Sequence, residues 1–164
     1  MTIRFGILTL SDRSARGERE DASGPALADL IRAQNWSVVK QTLLPDDESV
    51  IRAELMTWAD SGDVDVIVTT GGTGFSPRDI TPEATRAIIQ REAPGLVEAM
   101  RSASLPKTPH AMLSRSVAGI RGKTLIINLP GSPKGALENL QVVIPVLDHA
   151  IQLLKGDPSS ESGH

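Results

Sequence analysis

Apolar runs of strand length alternate with helix-period segments along most of the chain, and this alternation restricts its fold more than any other feature. Ile3–Leu10, Ser37–Leu44, Val64–Thr70 and Thr124–Leu129 read as strands. Val64–Thr70 is nearly continuous in apolar residues, the pattern of a strand covered by helices on both faces. The first long helix is expected to open at Ser23-Gly24-Pro25, with Ser23 as cap and Pro25 in the first turn. Ile51, Leu55, Trp58 and Ala59, spaced three and four apart, give the second helix its buried stripe. Thr81 stands in cap position ahead of Pro82 and Glu83, opening a helix expected to reach about Arg91. A further helix is expected from near Gly95 to before Pro106. Helical sequence from about Pro133 to Leu154 closes the pattern, and Pro145 is expected to kink or split it. The alternation specifies an α/β fold, a three-layer sandwich with a mostly parallel sheet between helices.

At 164 residues the chain suits one domain. We assign residues 1–155 to it and read the small, polar residues 156–164 as a disordered tail. Aromatics are limited to Phe5, Trp36, Trp58 and Phe75, so Val, Ile, Leu and Ala must fill the core. The same scarcity, with a net charge of −3, argues against nucleic acid, which needs stacking platforms and a basic field. Cysteine is absent, which excludes disulfides, thiolate metal sites and Cys nucleophiles. No segment has the length of a membrane helix, and Ile3–Leu10 is too short for a signal peptide. The expected compartment is the cytoplasm.

In open α/β sheets ligands bind beyond the carboxyl ends of the strands. Ser11-Asp12, Asp46, Gly71–Asp79 and Asn128–Gly131 each follow or end a strand and are expected to share one edge. The glycine-rich stretch Gly71-Gly72-Thr73-Gly74 is the strongest signal. Glycines let backbone N–H groups converge on a phosphate with no Cβ in the way, and the helix start near Thr81 adds partial positive charge. Arg78 offers a fork of donors for phosphate oxygens. The competing reading is a tight strand-to-helix turn with no ligand.

Two familiar phosphate motifs are excluded. Gly72-Thr73-Gly74 leads to Pro77 where a dinucleotide fingerprint needs glycine. Gly122-Lys123-Thr124 lacks the first glycine of a P-loop, since Val117 stands there, and it runs into a strand. Asp12, Asp46 or Asp47, and Asp79 are placed to hold magnesium against a triphosphate, or else each caps a turn. Asn128-Leu129-Pro130-Gly131 and Ser114-Arg115 add hydroxyl, amide and cationic groups. His110, His149 and His164 have no metal-ligand spacing, and Ser114 has no triad partners.

Taken in order, the segments Ser11-Asp12, Asp21–Pro25, Pro45-Asp46, Thr70–Thr85, Glu92–Gly95, Met112–Arg115 and Gly119–Gly131 resemble the molybdopterin adenylyltransferase family. That family includes bacterial enzymes and the G domains of plant cofactor proteins and of gephyrin. The resemblance spans about residues 3 to 155. It implies adenylyl transfer from ATP, with Mg2+, to the phosphate of molybdopterin, releasing pyrophosphate. It maps essential acidic positions onto Asp46 and Asp79, expected to hold the metal or orient the phosphates, and nucleotide contacts onto Gly71, Gly72, Thr73 and Gly74, with Arg78 expected beside them on the chemistry of its guanidinium. It places further ligand contacts on Ser114, Arg115, Asn128, Pro130 and Gly131, while Ser11 and Asp12 are candidate contacts by their position after the first strand. It also implies a homotrimer and a downstream molybdate-inserting partner. The alternative is a non-catalytic molybdopterin carrier or assembly module of the same fold.

Overall fold

A computed structural model of the chain describes residues 1–163; His164 lies outside the described residues. Six strands form one sheet: β1 (Arg4–Leu10), β2 (Ser37–Leu44), β3 (Val66–Thr70), β4 (Arg91–Glu92), β5 (Ala118–Arg121) and β6 (Thr124–Leu129). Their spatial order is β2-β1-β3-β6-β5-β4. The four strands read from the sequence pair in parallel, while β5 and β4 are antiparallel additions at one edge. The sheet is therefore mixed. β5 is a half-buried four-residue strand joined to β6 by a turn at Gly122-Lys123, too short to show a period.

The helices are α1 (Asp12–Ala15), α2 (Ser23–Ala33), α3 (Glu48–Asp60), α4 (Thr81–Ile88), α5 (Pro94–Ser104) and α6 (Pro133–Lys155). A 3-10 helix spans Pro109–Leu113. Strand alternation divides the core in two. Phe5, Ile7, Val66, Val68, Leu125 and Ile127 face α2, α5 and α6. Leu8, Leu10, Ile67 and Ile126 face α3 and α4, where Ile51, Leu55, Trp58 and Ala59 pack as their spacing requires. Phe5 stacks on Trp36 with ring centroids 5.4 Å apart, so three of the four aromatics are interior.

Several boundaries differ from expectation for local reasons. Ser23 does not cap α2: its hydroxyl donates to the Gly131 carbonyl at 2.7 Å, and Asp21 accepts from the Gly24 N–H instead. Thr81 is the first residue of α4 rather than its cap, and its hydroxyl donates to the Gly71 carbonyl. α4 ends at Ile88 because Ile89 is extended and Gln90 bonds Ile120, starting the β4 edge. α6 runs unbroken through Pro145. The carbonyl of Gln141, which loses its helical donor there, belongs to an exposed residue, where solvent can replace that donor. Beyond α6 the expected disordered tail is a left-handed Gly156 and a 3-10 turn over Pro158–Gly163, in which Asp157 accepts from the Ser159 N–H.

At the amino ends of β1 and β3, Asp65 is only 2 % exposed and is gripped by Arg4 and Lys155. Arg4 donates its backbone N–H at 2.8 Å and two guanidinium N–H groups at 3.1 and 2.9 Å. Burial pushes the carboxyl upward, but the donors outweigh it and hold it below the ordinary carboxylate value. A depressed folded value means stability that is full above the unfolded pKa of about 3.9 and is lost as pH falls below it. Asp65→Asn should cost about 3 kcal/mol at neutral pH. In urea unfolding the gap to wild type should narrow as the buffer is taken from pH 6 to pH 3; a constant gap would contradict this account.

Candidate active site

Because β1, β2, β3 and β6 run parallel, they end together at Leu10, Leu44, Thr70 and Leu129. The segments after them meet there. β3 delivers Gly71 with φ of +108° and Gly72 with φ of +68°, conformations that other residues reach only with strain. Space is equally restrictive. A Cβ on Gly71 would strike the Leu10 carbonyl, and one on Gly72 would strike the Thr81 hydroxyl and stand 3.1 Å from Asp46 Oδ1. Gly131 comes against Gly71 from the other side, where an added Cβ would lie 3.3 Å from the Gly71 Cα. The Gly71 N–H donates to Leu129 and the Thr70 hydroxyl to Pro130 at 2.7 Å.

The remainder of the glycine loop is held by Arg115. Its Nε donates to the Gly74 carbonyl at 2.8 Å, Nη2 to the Asp79 carbonyl at 2.7 Å, and Nη1 to Glu83 at 2.6 Å. Arg115, expected to touch ligand, is thus a clamp on the loop. Asp79 accepts from the Ser76 N–H at 2.9 Å, and the same oxygen would lie 3.0 Å from a Cβ on Gly74.

Asp12 and Asp46 exchange contacts: each carboxylate accepts the other's backbone N–H at 3.0 Å. Arg78 then forks onto Asp12 at 2.9 and 3.1 Å, so the guanidinium expected to await phosphate is occupied by a carboxylate. That pairing holds the Asp12 carboxyl below its ordinary value. Asp46 moves the other way: burial raises it first, and the charges of Asp12 and Asp79 add to the rise. Its Oδ1 is enclosed and accepts no hydrogen bond from the described residues. Asp47 is separated from this group, since it caps α3 by accepting from Val50 N–H at 3.1 Å. Asp46 therefore lines the site and Asp47 leaves it.

Two cavities open on either side of the loop. A polar one of about 390 Å³ is lined by Ser11, Gly71, Gly72, Asp46, Asp79 and Gly131, among others. A more apolar one of about 380 Å³ lies between the loop, α5, α6 and the 3-10 helix, lined by Thr73, Gly74, Val97, Met100, Ser114 and Pro130 among others. Ser132, the cap of α6, lines both. Phe75 stands at the mouth of the second cavity, 69 % exposed. Asn128 does not reach either one. It is wholly buried in β6, accepting from Val117 N–H and donating to Thr69 and Thr85, so its part is structural. Arg19 also lines the polar cavity; sequence reasoning misses it, because there it is one more charge in a polar loop.

Among the described residues no three His, Cys, Asp or Glu side chains converge as a metal cage. A hard cation bound chiefly through substrate phosphates needs only one or two carboxylates. The unpartnered Oδ1 of Asp46, beside Asp79 in one cavity, fits that need.

Comparison with known proteins finds relatives along most of the chain. Residues 6–149 match the family described as a probable molybdopterin binding domain. The chain is 42% identical over 158 residues to the molybdopterin adenylyltransferase of Helicobacter pylori strain J99, covering 95% of this chain and 90% of that one. It is 44% identical over 160 residues to the molybdenum cofactor synthesis protein cinnamon of Drosophila melanogaster, covering 96% of this chain but only 26% of that longer protein. The crystal structure of the molybdopterin biosynthesis enzyme MoaB of Thermus thermophilus superposes with a TM-score of 0.90 at 52% identity, covering 96% of this chain and 99% of that one.

The raised Asp46 carboxyl has a consequence for stability. An acid whose folded value lies above its unfolded one destabilises the fold when ionised. Asp46→Asn removes that charge while keeping an acceptor for the Asp12 N–H. Calorimetry at pH 7 should show the melting temperature rising by about 2–4 °C, roughly 1 kcal/mol. A fall of similar size would show that ionised Asp46 is compensated in the fold.

Proposed function

The chain belongs to the family of molybdopterin-binding domains, and from that membership we propose that it is a molybdopterin adenylyltransferase of molybdenum-cofactor biosynthesis. The observation that carries the proposal is the pair of cavities meeting over one glycine loop. Joining two substrates requires two adjoining subsites, and a carrier of one ligand needs only one. ATP phosphates suit the polar cavity, beside Asp46, Asp79 and the backbone of Gly71 and Gly72. Molybdopterin suits the apolar cavity, with its phosphate directed to the shared wall at Ser132.

An oxygen of the molybdopterin phosphate attacks the α-phosphorus of ATP. A new P–O bond forms, the bond to the β-phosphate oxygen breaks, and pyrophosphate leaves with the electron pair. Such chemistry asks the protein for alignment and charge stabilisation rather than covalent work. The Gly71–Gly74 backbone, locked by Thr81 and Arg115, supplies preorganised positions for phosphate oxygens. Asp46 and Asp79 would hold magnesium, which neutralises charge on the triphosphate when bound. Displacement of Arg78 from Asp12 by an incoming phosphate would free its guanidinium for the same purpose. In this reading the enzyme works in the cytoplasm as a homotrimer and passes its product to a molybdate-inserting protein. None of the described helices is long and apolar enough to cross a membrane.

Single-turnover incubation with molybdopterin, magnesium and α-phosphate-labelled ATP tests the reading. Label should appear on the pterin. Asp79→Asn should fold normally and lose about 10²-fold or more in rate, near 2.7 kcal/mol of barrier. Tight pterin binding with no labelled product would favour the carrier module, and full activity in the variant would remove Asp79 from the mechanism.

A further inference from the structure

We propose that Arg19, on the loop between α1 and α2, binds the β- and γ-phosphates of ATP and then the departing pyrophosphate; this rests on the adenylyl-transfer reading above. The argument begins with charge. The polar cavity is lined by four carboxylates, Glu20, Asp21, Asp46 and Asp79, and by one side-chain cation, Arg19. A triphosphate entering that space meets strong repulsion unless positive charge is brought to it. Two other arginines lie near the glycine loop, and both are already engaged. Arg115 makes three hydrogen bonds to Gly74, Asp79 and Glu83 that hold the loop's shape. Arg78 is forked onto Asp12 and lines a neighbouring hollow with Asp46 and Asp47 instead. Arg19 is exposed and makes no ion pair among the described residues, so recruiting it breaks nothing.

Sheet order indicates which phosphates it meets. The apolar cavity opens on the β6 side of the glycine loop, and Ser132 lies where the two cavities share a wall. The α-phosphorus must lie near that wall to be attacked from the other cavity. The pyrophosphate end then points away from it, toward the β1 side. Arg19 belongs to the loop that follows β1 and α1, and it lines the polar cavity alone. The loop is anchored just beyond it, where Asp21 accepts from the Thr9 hydroxyl at 2.8 Å and the Gly24 N–H at 3.0 Å. The guanidinium is therefore tethered within reach of the cavity while remaining free to turn.

Calorimetric binding of magnesium–ATP, magnesium–pyrophosphate and AMP to the full chain tests the proposal without requiring turnover. Arg19→Ala should weaken ATP and pyrophosphate about tenfold, the loss of one charge-assisted contact, and AMP by less than about twofold. Arg19→Lys should fall between, because ammonium keeps the charge and loses the fork. Arg32→Ala, on the exposed face of α2, should match wild type. Unchanged ATP and pyrophosphate affinity in Arg19→Ala overturns the proposal, as does an equal loss for AMP. Wild-type protein that binds pyrophosphate but never adenylylates molybdopterin sinks the functional reading, yet the Arg19 comparison still decides this one. Wild-type protein that binds neither ATP nor pyrophosphate overturns both.

Discussion

The absence of room at Gly71 organises everything around it. β3 ends where the Leu10 carbonyl of β1 and the Pro130-Gly131 turn of β6 close in from both sides, and only a residue without a side chain passes between them. Once the chain has passed, its direction is set by left-handed torsions at two successive residues. The Thr81 hydroxyl fastens the Gly71 carbonyl, and the Thr81 N–H fastens Gly72, tying the start of α4 to the loop's first two residues. Parallel pairing of four strands makes this crowding possible, because it alone delivers three chain exits to one place. The loop stands as a wedge at this place, with a cavity on each flank.

A second constraint follows from what the wedge brings together. Asp12, Asp46 and Asp79 share one edge, and the fold compensates them unequally. Asp12 takes the guanidinium of Arg78, whereas Asp46 takes burial and two like charges. At the opposite end of the sheet the treatment of Asp65 is the reverse. That carboxylate is enclosed too, but two cations surround it and hold it ionised. The contrast separates an acid used to close the fold from one left with an unsatisfied oxygen. Unsatisfied buried acceptors are rare in proteins and are a recurring mark of places where a ligand is expected.

Much of this was legible in the sequence, and the limits have physical causes. The strands at Ser37–Leu44 and Thr124–Leu129 and the stripe Ile51–Leu55–Trp58 follow from periodicity alone, and the structure keeps them. β4 and β5 were not legible, since strands of two and four residues show no period. Turn residues were visible as turn residues but not by partner. Ser23 looks like a cap and is a tether to Gly131; Asn128 looks like a ligand contact and is an interior brace across β3, β6 and α4. Between Asp46 and Asp47 residue type and spacing offer no distinction, and only the family resemblance favours Asp46. The choice depends on which carboxylate the start of α3 requires as its cap, and that is a matter of three-dimensional placement.

Arginine shows the same limit most clearly. Arg78 and Arg115 stand in or near the motifs and so attract a ligand-binding role, while Arg19 lies in a run of loop charges and attracts none. The structure orders them by availability. A guanidinium that already spans Gly74, Asp79 and Glu83 cannot turn to a phosphate without loosening the loop that positions it. One forked onto Asp12 can be released, but only by leaving a second bare carboxylate beside Asp46. One that pairs with none of the described residues, on a tethered loop, incurs neither cost. Preorganisation and neutralisation make opposite demands on an arginine, rigidity for the first and freedom for the second. A site that needs both must divide them between different residues.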